Sequence, residues 1–171
     1  VLVEVGDAEG ARAAAEQGAE ALVLRAPARL RDATALPIVL YGAELDDEAD
    51  AVVIDARAGD PDSLARMVGH AGERGLECVL KVRHEDDLEQ ALELFDPEIV
   101  LLSADEAEDG QPQLERLLEL LPDVPAGKLA IAELARPTRG DVAELERAGV
   151  DAVFVGAGDV GGLVDDPPPD V

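Results

Sequence analysis

Short apolar runs recur along the chain: VLVEV (1–5), ALVLR (21–25), PIVLY (37–41), AVVID (51–55), CVLKV (78–82), EIVLL (98–102), LAIAE (129–133) and AVFVG (152–156). They are rich in Val, Ile and Leu and mostly apolar throughout, as strands covered on both faces of a parallel sheet are. Between several of them the period changes. AEGARAAAEQG (8–18), DSLARMVGHAGERG (62–75), HEDDLEQALELF (84–95), QLERLLELL (113–121) and TRGDVAELERAG (138–149) place apolar residues at helical spacing, and three of the five close on glycine. Strand and helix in alternation predict right-handed βαβ units.

Eight strands, with a repeat inside them, narrow the architecture. VLVEVGDAEGARAAAEQGAEALVL (1–24) aligns without a gap on CVLKVRHEDDLEQALELFDPEIVL (78–101), so that Glu4 falls on Lys81, Ala14 on Ala91 and Val23 on Val100. Four strand–helix units taken twice is the pattern of an α/β fold of the (β/α)8, TIM-type barrel class. The barrel expected here is a shortened one. APARLRDATAL (26–36) and GAELDDEAD (42–50) have room for one helical turn, and GDVGGLVDDPPPDV (158–171) is too rich in Gly and Pro for a closing helix. The helices after strands 2, 3 and 8 are therefore expected to be reduced or missing. One domain over 1–163 and a disordered Pro/Asp-rich tail over 164–171 follow, and an open doubly wound sheet is the alternative. Thin outer cover also predicts a homodimer or a partner subunit over exposed strand faces.

Three polar residues interrupt the apolar runs near their carboxyl ends: Glu4, Lys81 and Glu133. Parallel α/β folds bind ligands at that end of the sheet, so the three are expected at one mouth, the lysine between two carboxylates. Two readings are open: a structural ion-pair cluster, or a general acid/base set. Tyr41 and Asp55, each closing a strand, are expected to line the pocket, the tyrosine with its hydroxyl outward. The turn Gly156–Ala157–Gly158 after the eighth strand offers backbone N–H groups to a phosphate, and Arg136 and Arg139 could add positive charge. His70 and His84 fall in helical patterns, away from strand ends, and read as surface residues. With Cys78 they match no metal-ligand spacing, so neither metal nor cofactor is expected.

Composition then limits the partners. The 171 residues carry 39 acidic and 14 basic side chains, twelve of the latter Arg, for a formal charge of −25. Such a surface repels phosphate backbones and anionic lipid, which argues against nucleic acid and membrane. The acids are spread through the helices, as in salt-adapted proteins whose self-repulsion is screened by molar salt; an ordinary acidic bacterial protein is the other reading. A single cysteine, no long apolar run and no signal-peptide pattern point to the cytoplasm.

Several segments carry a resemblance. ADAVVIDA (49–56), GLECVLKVRHEDDLEQALE (75–93) and, most specifically, KLAIAELARPTRGDVAELERAGVDAVFVGAG (128–158) resemble indole-3-glycerol phosphate synthase, a (β/α)8 carbon–carbon lyase of tryptophan biosynthesis. LVEVG (2–6) resembles its first strand. The resemblance implies a carboxyphenylamino-deoxyribulose phosphate substrate, condensed, decarboxylated and dehydrated, with no cofactor. It carries the family's first- and seventh-strand glutamates onto Glu4 and Glu133, and a phosphate-loop glycine onto Gly156. The departures fall on the chemistry. Gly6 stands for the first-strand lysine, and Tyr41 lies near the place of the third-strand lysine. Lys81 replaces the fifth-strand glutamate, and Ser103, also expected to line the pocket, replaces the sixth-strand asparagine. Leu134 and Ala135 replace a serine and a glycine after the seventh-strand glutamate. The resemblance thus implies an inherited scaffold with reduced or lost synthase activity and a residual site for a small phosphorylated ligand. The alternative is an active lyase or isomerase on a sugar phosphate, using Glu4, Lys81 and Glu133.

Overall fold

The computed structural model describes residues 1–42, 48–104, 112–156, 158 and 161–163. The expected tail, 164–171, lies outside the described residues, as does Ala157. In chain order the elements are β1 (Leu2–Glu4), α1 (Ala8–Glu16), β2 (Ala21–Leu24), β3 (Ile38–Tyr41), β4 (Ala51–Asp55), α2 (Pro61–Glu73) and β5 (Glu77–Val82). There follow α3 (Glu85–Phe95), β6 (Ile99–Ser103), α4 (Gln113–Leu120), a 3-10 turn (Leu121–Asp123), β7 (Leu129–Leu134), α5 (Arg139–Ala148) and β8 (Ala152–Val155). All eight strands are parallel, each pairs with its neighbour in sequence, and β8 pairs with β1, closing a TIM-type barrel. The open-sheet alternative is excluded by that closure.

Helix ends follow local chemistry. Asp7 accepts a hydrogen bond from the Gly10 N–H at 2.8 Å to start α1, and Asp60, ahead of Pro61, accepts from the Ser63 N–H at 2.9 Å to start α2. Thr138 and Asp141 form a reciprocal capping box on α5, and Gly149 ends that helix at φ 105°, a conformation that suits glycine. The strand starts are pinned as well. Asp50, one residue before β4, accepts from the Ile38 N–H at 2.8 Å, and Asp151, one residue before β8, accepts from the Ala130 N–H at 2.8 Å. The same device thus occurs at equivalent places in the two half-barrels.

The core is split by the sheet. Outward side chains such as Val52, Leu80, Val100 and Ala132 pack on the apolar stripes of the helices, among them Leu64, Leu88, Leu117 and Leu145. Where no helix follows β2, the connection itself fills the gap. Leu30 is 1% exposed, its N–H donates to Glu48 at 2.9 Å, and the outward Leu22, Leu24, Ile38 and Leu40 are all buried. Around β2 the chain thus covers its own strand faces, and a second subunit is left to be tested in solution.

Inside, the register arranges inward side chains in tiers of four from alternate strands. The lowest holds Ala21, Ala51, Ile99 and Ala152; the next Leu2, Val39, Val79 and Ile131; the third Val23, Val53, Leu101 and Phe154. One step further toward the carboxyl ends, the same alternation delivers Glu4, Tyr41, Lys81 and Glu133. Arg25, Asp55, Ser103 and Gly156 stand above them.

Candidate functional site at the barrel mouth

The fourth tier is where the apolar filling stops. Glu4, Lys81 and Glu133 come together at one mouth, and Tyr41 completes their ring. Glu133 is the hub. Its Oε2 lies 2.7 Å from the Lys81 ammonium, the Tyr41 hydroxyl donates to its two oxygens at 3.4 and 3.3 Å, and the Arg25 Nη2 is 3.7 Å away. Lys81 also donates to the Tyr41 hydroxyl, and its side chain is only 8% exposed. A charge so far from water is tolerated because opposite charge and hydrogen-bond acceptors surround it.

Two expectations need correcting. Lys81 does not sit between Glu4 and Glu133. It binds Glu133, while Glu4 accepts from the Arg25 Nε at 2.9 Å and joins the cluster through that residue. The reason is geometric: β1 and β5 lie opposite each other in an eight-stranded barrel, so the nearest tier-mates of Lys81 are on β3 and β7. The Tyr41 hydroxyl, expected outward, instead faces inward to Lys81 and Glu133.

Arg25 carried no role in the sequence reading, yet it caps the tier. Its guanidinium carbon lies 4.4 Å above the centre of the Tyr41 ring and 6.0 Å from that of Phe154. Burial works against its charge, but the hydrogen bond and charge of Glu4, with Tyr41 beside it, outweigh burial and raise its pKa further. The signal that could have found it is parity: Arg25 continues the inward positions Ala21 and Val23.

Arg83 was missed for the same reason, continuing Val79 and Lys81. It grips Asp55 with both terminal nitrogens, at 2.9 and 2.8 Å. Burial pushes the Asp55 carboxyl up, but Arg83, the Arg57 backbone N–H and the Lys81 charge together hold it below the usual carboxylate range.

Ser103 is buried at the end of β6, in register with Glu133. Tyr41 and Asp55 also border an apolar cavity of about 140 Å³ beside α2, with Met67 and His70 on its far wall; Ser103 does not line it. Gly156 follows β8 directly, with its Cα facing the Ala135 carbonyl, and Gly158 is described without its neighbour Ala157. Arg136 and Arg139 are exposed, the latter opening α5. Among the described residues no group of His, Cys, Asp and Glu is arranged to hold a metal ion, and no helix is long and apolar enough to cross a membrane.

No family model matches the chain. It is 31% identical over 108 residues to indole-3-glycerol phosphate synthase of Geobacillus sp. (strain WCH70), a match taking in 63% of this chain and 42% of that protein. The enzyme of the same name from Campylobacter fetus subsp. fetus (strain 82-40) is 28% identical over 117 residues, 68% of this chain and 43% of the relative. The chain thus spans less than half the length of these relatives. Among solved structures, the N-acetylmannosamine-6-phosphate 2-epimerase from Clostridium perfringens superposes with a TM-score of 0.74 at 16% identity, over 94% of this chain and 86% of that one. A mandelate oxidase mutant does so at 0.68 and 16% identity, over 89% of this chain and 60% of the other. These two likenesses concern the fold alone. Taken together, the chain is a TIM-type barrel distantly related to the indole-3-glycerol phosphate synthases.

Proposed function

We propose that the barrel mouth is a ligand site in which Lys81 and Glu133 form a proton-transfer couple acting on a small phosphorylated substrate, and that the chain has left the synthase reaction of its relatives. The observation that carries this reading is the Lys81–Glu133 contact of 2.7 Å, set with Tyr41 directly above three apolar tiers. Ionisable groups placed there at a cost in solvation are the usual material of acid/base sites.

In this reading Glu133 takes a proton from a carbon next to a carbonyl. The C–H electrons move into the enolate, and the charge on its oxygen is met by the Lys81 ammonium and the Tyr41 hydroxyl. Return of the proton to the adjacent carbon is an isomerisation, and expulsion of a bonded group is a lyase reaction. The segment Gly156–Ala157–Gly158, through its backbone N–H groups, would hold the phosphate. Departure from the synthase reaction is supported by Gly6, Tyr41, Leu134 and Ala135, none of which can replace the lysines, serine or glycine that the resemblance calls for.

The test has two arms. With carboxyphenylamino-deoxyribulose phosphate, in dilute buffer and in about 1 M potassium chloride to screen the surface charge, the folded protein is expected to give no indole fluorescence. The chain has no tryptophan to obscure that signal. With a panel of sugar phosphates in heavy water, deuterium is expected to enter a carbon-bound position, and to stop entering in Lys81→Met and Glu133→Gln. Indole formation that needs Lys81 would return the chain to its relatives' reaction. Absence of exchange from a folded protein would remove the proton-transfer reading.

A second reading is favoured by the closure of the charge network: within the tier each charge already has a partner in this chain. On that reading the cluster is a structural plug, and the chain binds ligand or partner without turnover.

A further inference from the structure

We infer that Arg25 is the anion-recognition residue of this mouth: its guanidinium takes an oxyanion of the ligand, from carboxylate or phosphate, in exchange for Glu133. The inference rests on the reading of the mouth as a ligand site, and names the chemistry by which a ligand is recognised there.

Three cations continue the inward positions of the strands at this end of the barrel, and they are not equally committed. Lys81 is buried and bonded to Glu133 at 2.7 Å and to Tyr41. Arg83 is held by both oxygens of Asp55, at 2.9 and 2.8 Å. Arg25 is different. Its Nε is fixed by Glu4 at 2.9 Å, its plane is supported on the Tyr41 ring, and half of its side chain is exposed. Its contact with Glu133, at 3.7 Å, is longer than a hydrogen bond. The guanidinium is thus oriented through one nitrogen and loosely engaged at the other end, a planar fork already placed for a two-oxygen partner.

An arriving oxyanion at the usual charge-assisted distance of about 2.8 Å displaces a contact of that length. Glu133 then faces Lys81 and Tyr41 alone. Anion binding and the state of the proton-transfer couple are connected through one side chain. The fork reaches this position because β2 lies two strands from β8 around the closed sheet, and Phe154 of β8 stands within 6.0 Å of the guanidinium.

The molecule carries its own reporter. Tyr41 is the only tyrosine and there is no tryptophan, so near-ultraviolet emission comes from the ring on which Arg25 lies. Inorganic phosphate and malonate are titrated separately into the whole protein, with potassium chloride holding the ionic strength constant. We expect a saturable change in Tyr41 emission with at least one of them, phosphate or malonate according to which oxyanion the fork prefers. Half-saturation should rise about tenfold or more in Arg25→Gln, as loss of a charged hydrogen-bonding pair requires. In Arg25→Lys, which keeps charge without the fork, it should fall between the two. Circular dichroism confirms that each variant is folded. No saturable change with either anion, an equal response in Arg25→Gln, or the same change with chloride alone would overturn the inference. Deuterium exchange persisting in that case would leave the proton-transfer reading standing. An Arg25-dependent response without exchange would do the reverse.

Discussion

Below the mouth, twelve inward side chains between Leu2 and Phe154 fill the barrel with hydrocarbon; in the next tier, four side chains bring two carboxylates, an ammonium and a phenol. The lower tiers are non-directional. Any set of side chains of similar volume would exclude water there nearly as well. The upper tier is the opposite: each group needs a particular partner at a particular distance, and removal of one leaves another buried with its charge unmet. The apolar filling therefore provides the stability, and the ionic tier draws on it.

Substitutions at four positions test that division. The largest loss is expected at Leu101, 2% exposed in the third tier. Leu101→Ala should cost about 2–5 kcal/mol by denaturant unfolding; a loss under about 1 kcal/mol would mean that the interior collapses around the gap and that the filling is less tight than described. Next comes Glu133→Gln, which leaves Lys81 without a charged partner. Water reaches Glu133 at 16% exposure, so we expect about 2 kcal/mol rather than the 3–5 of a fully buried pair. Adding Lys81→Met and changing residue 133 to Leu should recover most of that stability, because an apolar pair needs no compensation. If the double variant is less stable still, the ionic tier contributes net stability and the contrast fails.

The smallest effect is expected at Asp55, where Arg83 holds the carboxyl below its ordinary range. A lowered folded-state value stabilises the protein above the unfolded-state value, near 3.9, and that contribution disappears as pH falls through the folded value. The stability gap between wild type and Asp55→Asn should therefore be present at pH 7 and close below about pH 4. A gap that is independent of pH would mean that shape rather than charge matters there.

Much of the barrel could be read in the sequence because buried parallel strands leave a distinctive trace. All eight apolar runs became strands, and the short segments after β2 and β8 formed no helix among the described residues. Glu4, Lys81 and Glu133 were legible as polar breaks in those runs. Their pairing was not. A linear repeat places Glu4 on Lys81, and only closure of the sheet shows that this equivalence puts them across the barrel from each other. Arg25 and Arg83 were overlooked because each stands one residue beyond the end of its strand, where a charge reads as the onset of a loop. Inward parity continues past the last ladder hydrogen bond, and both side chains fold back over the mouth.

The seam between β1 and β8 has two register pairs, Leu2 with Phe154 and Val3 with Val155, against five between β4 and β5. A closed barrel has no edge, but a chain still being made does. Until residue 155 has left the ribosome, β1 presents bare N–H and C=O groups that any other strand could pair with. The interval of greatest exposure to aggregation is therefore set by the time of synthesis. During it, the acidic side chains spread along the chain keep neighbouring nascent copies apart by repulsion.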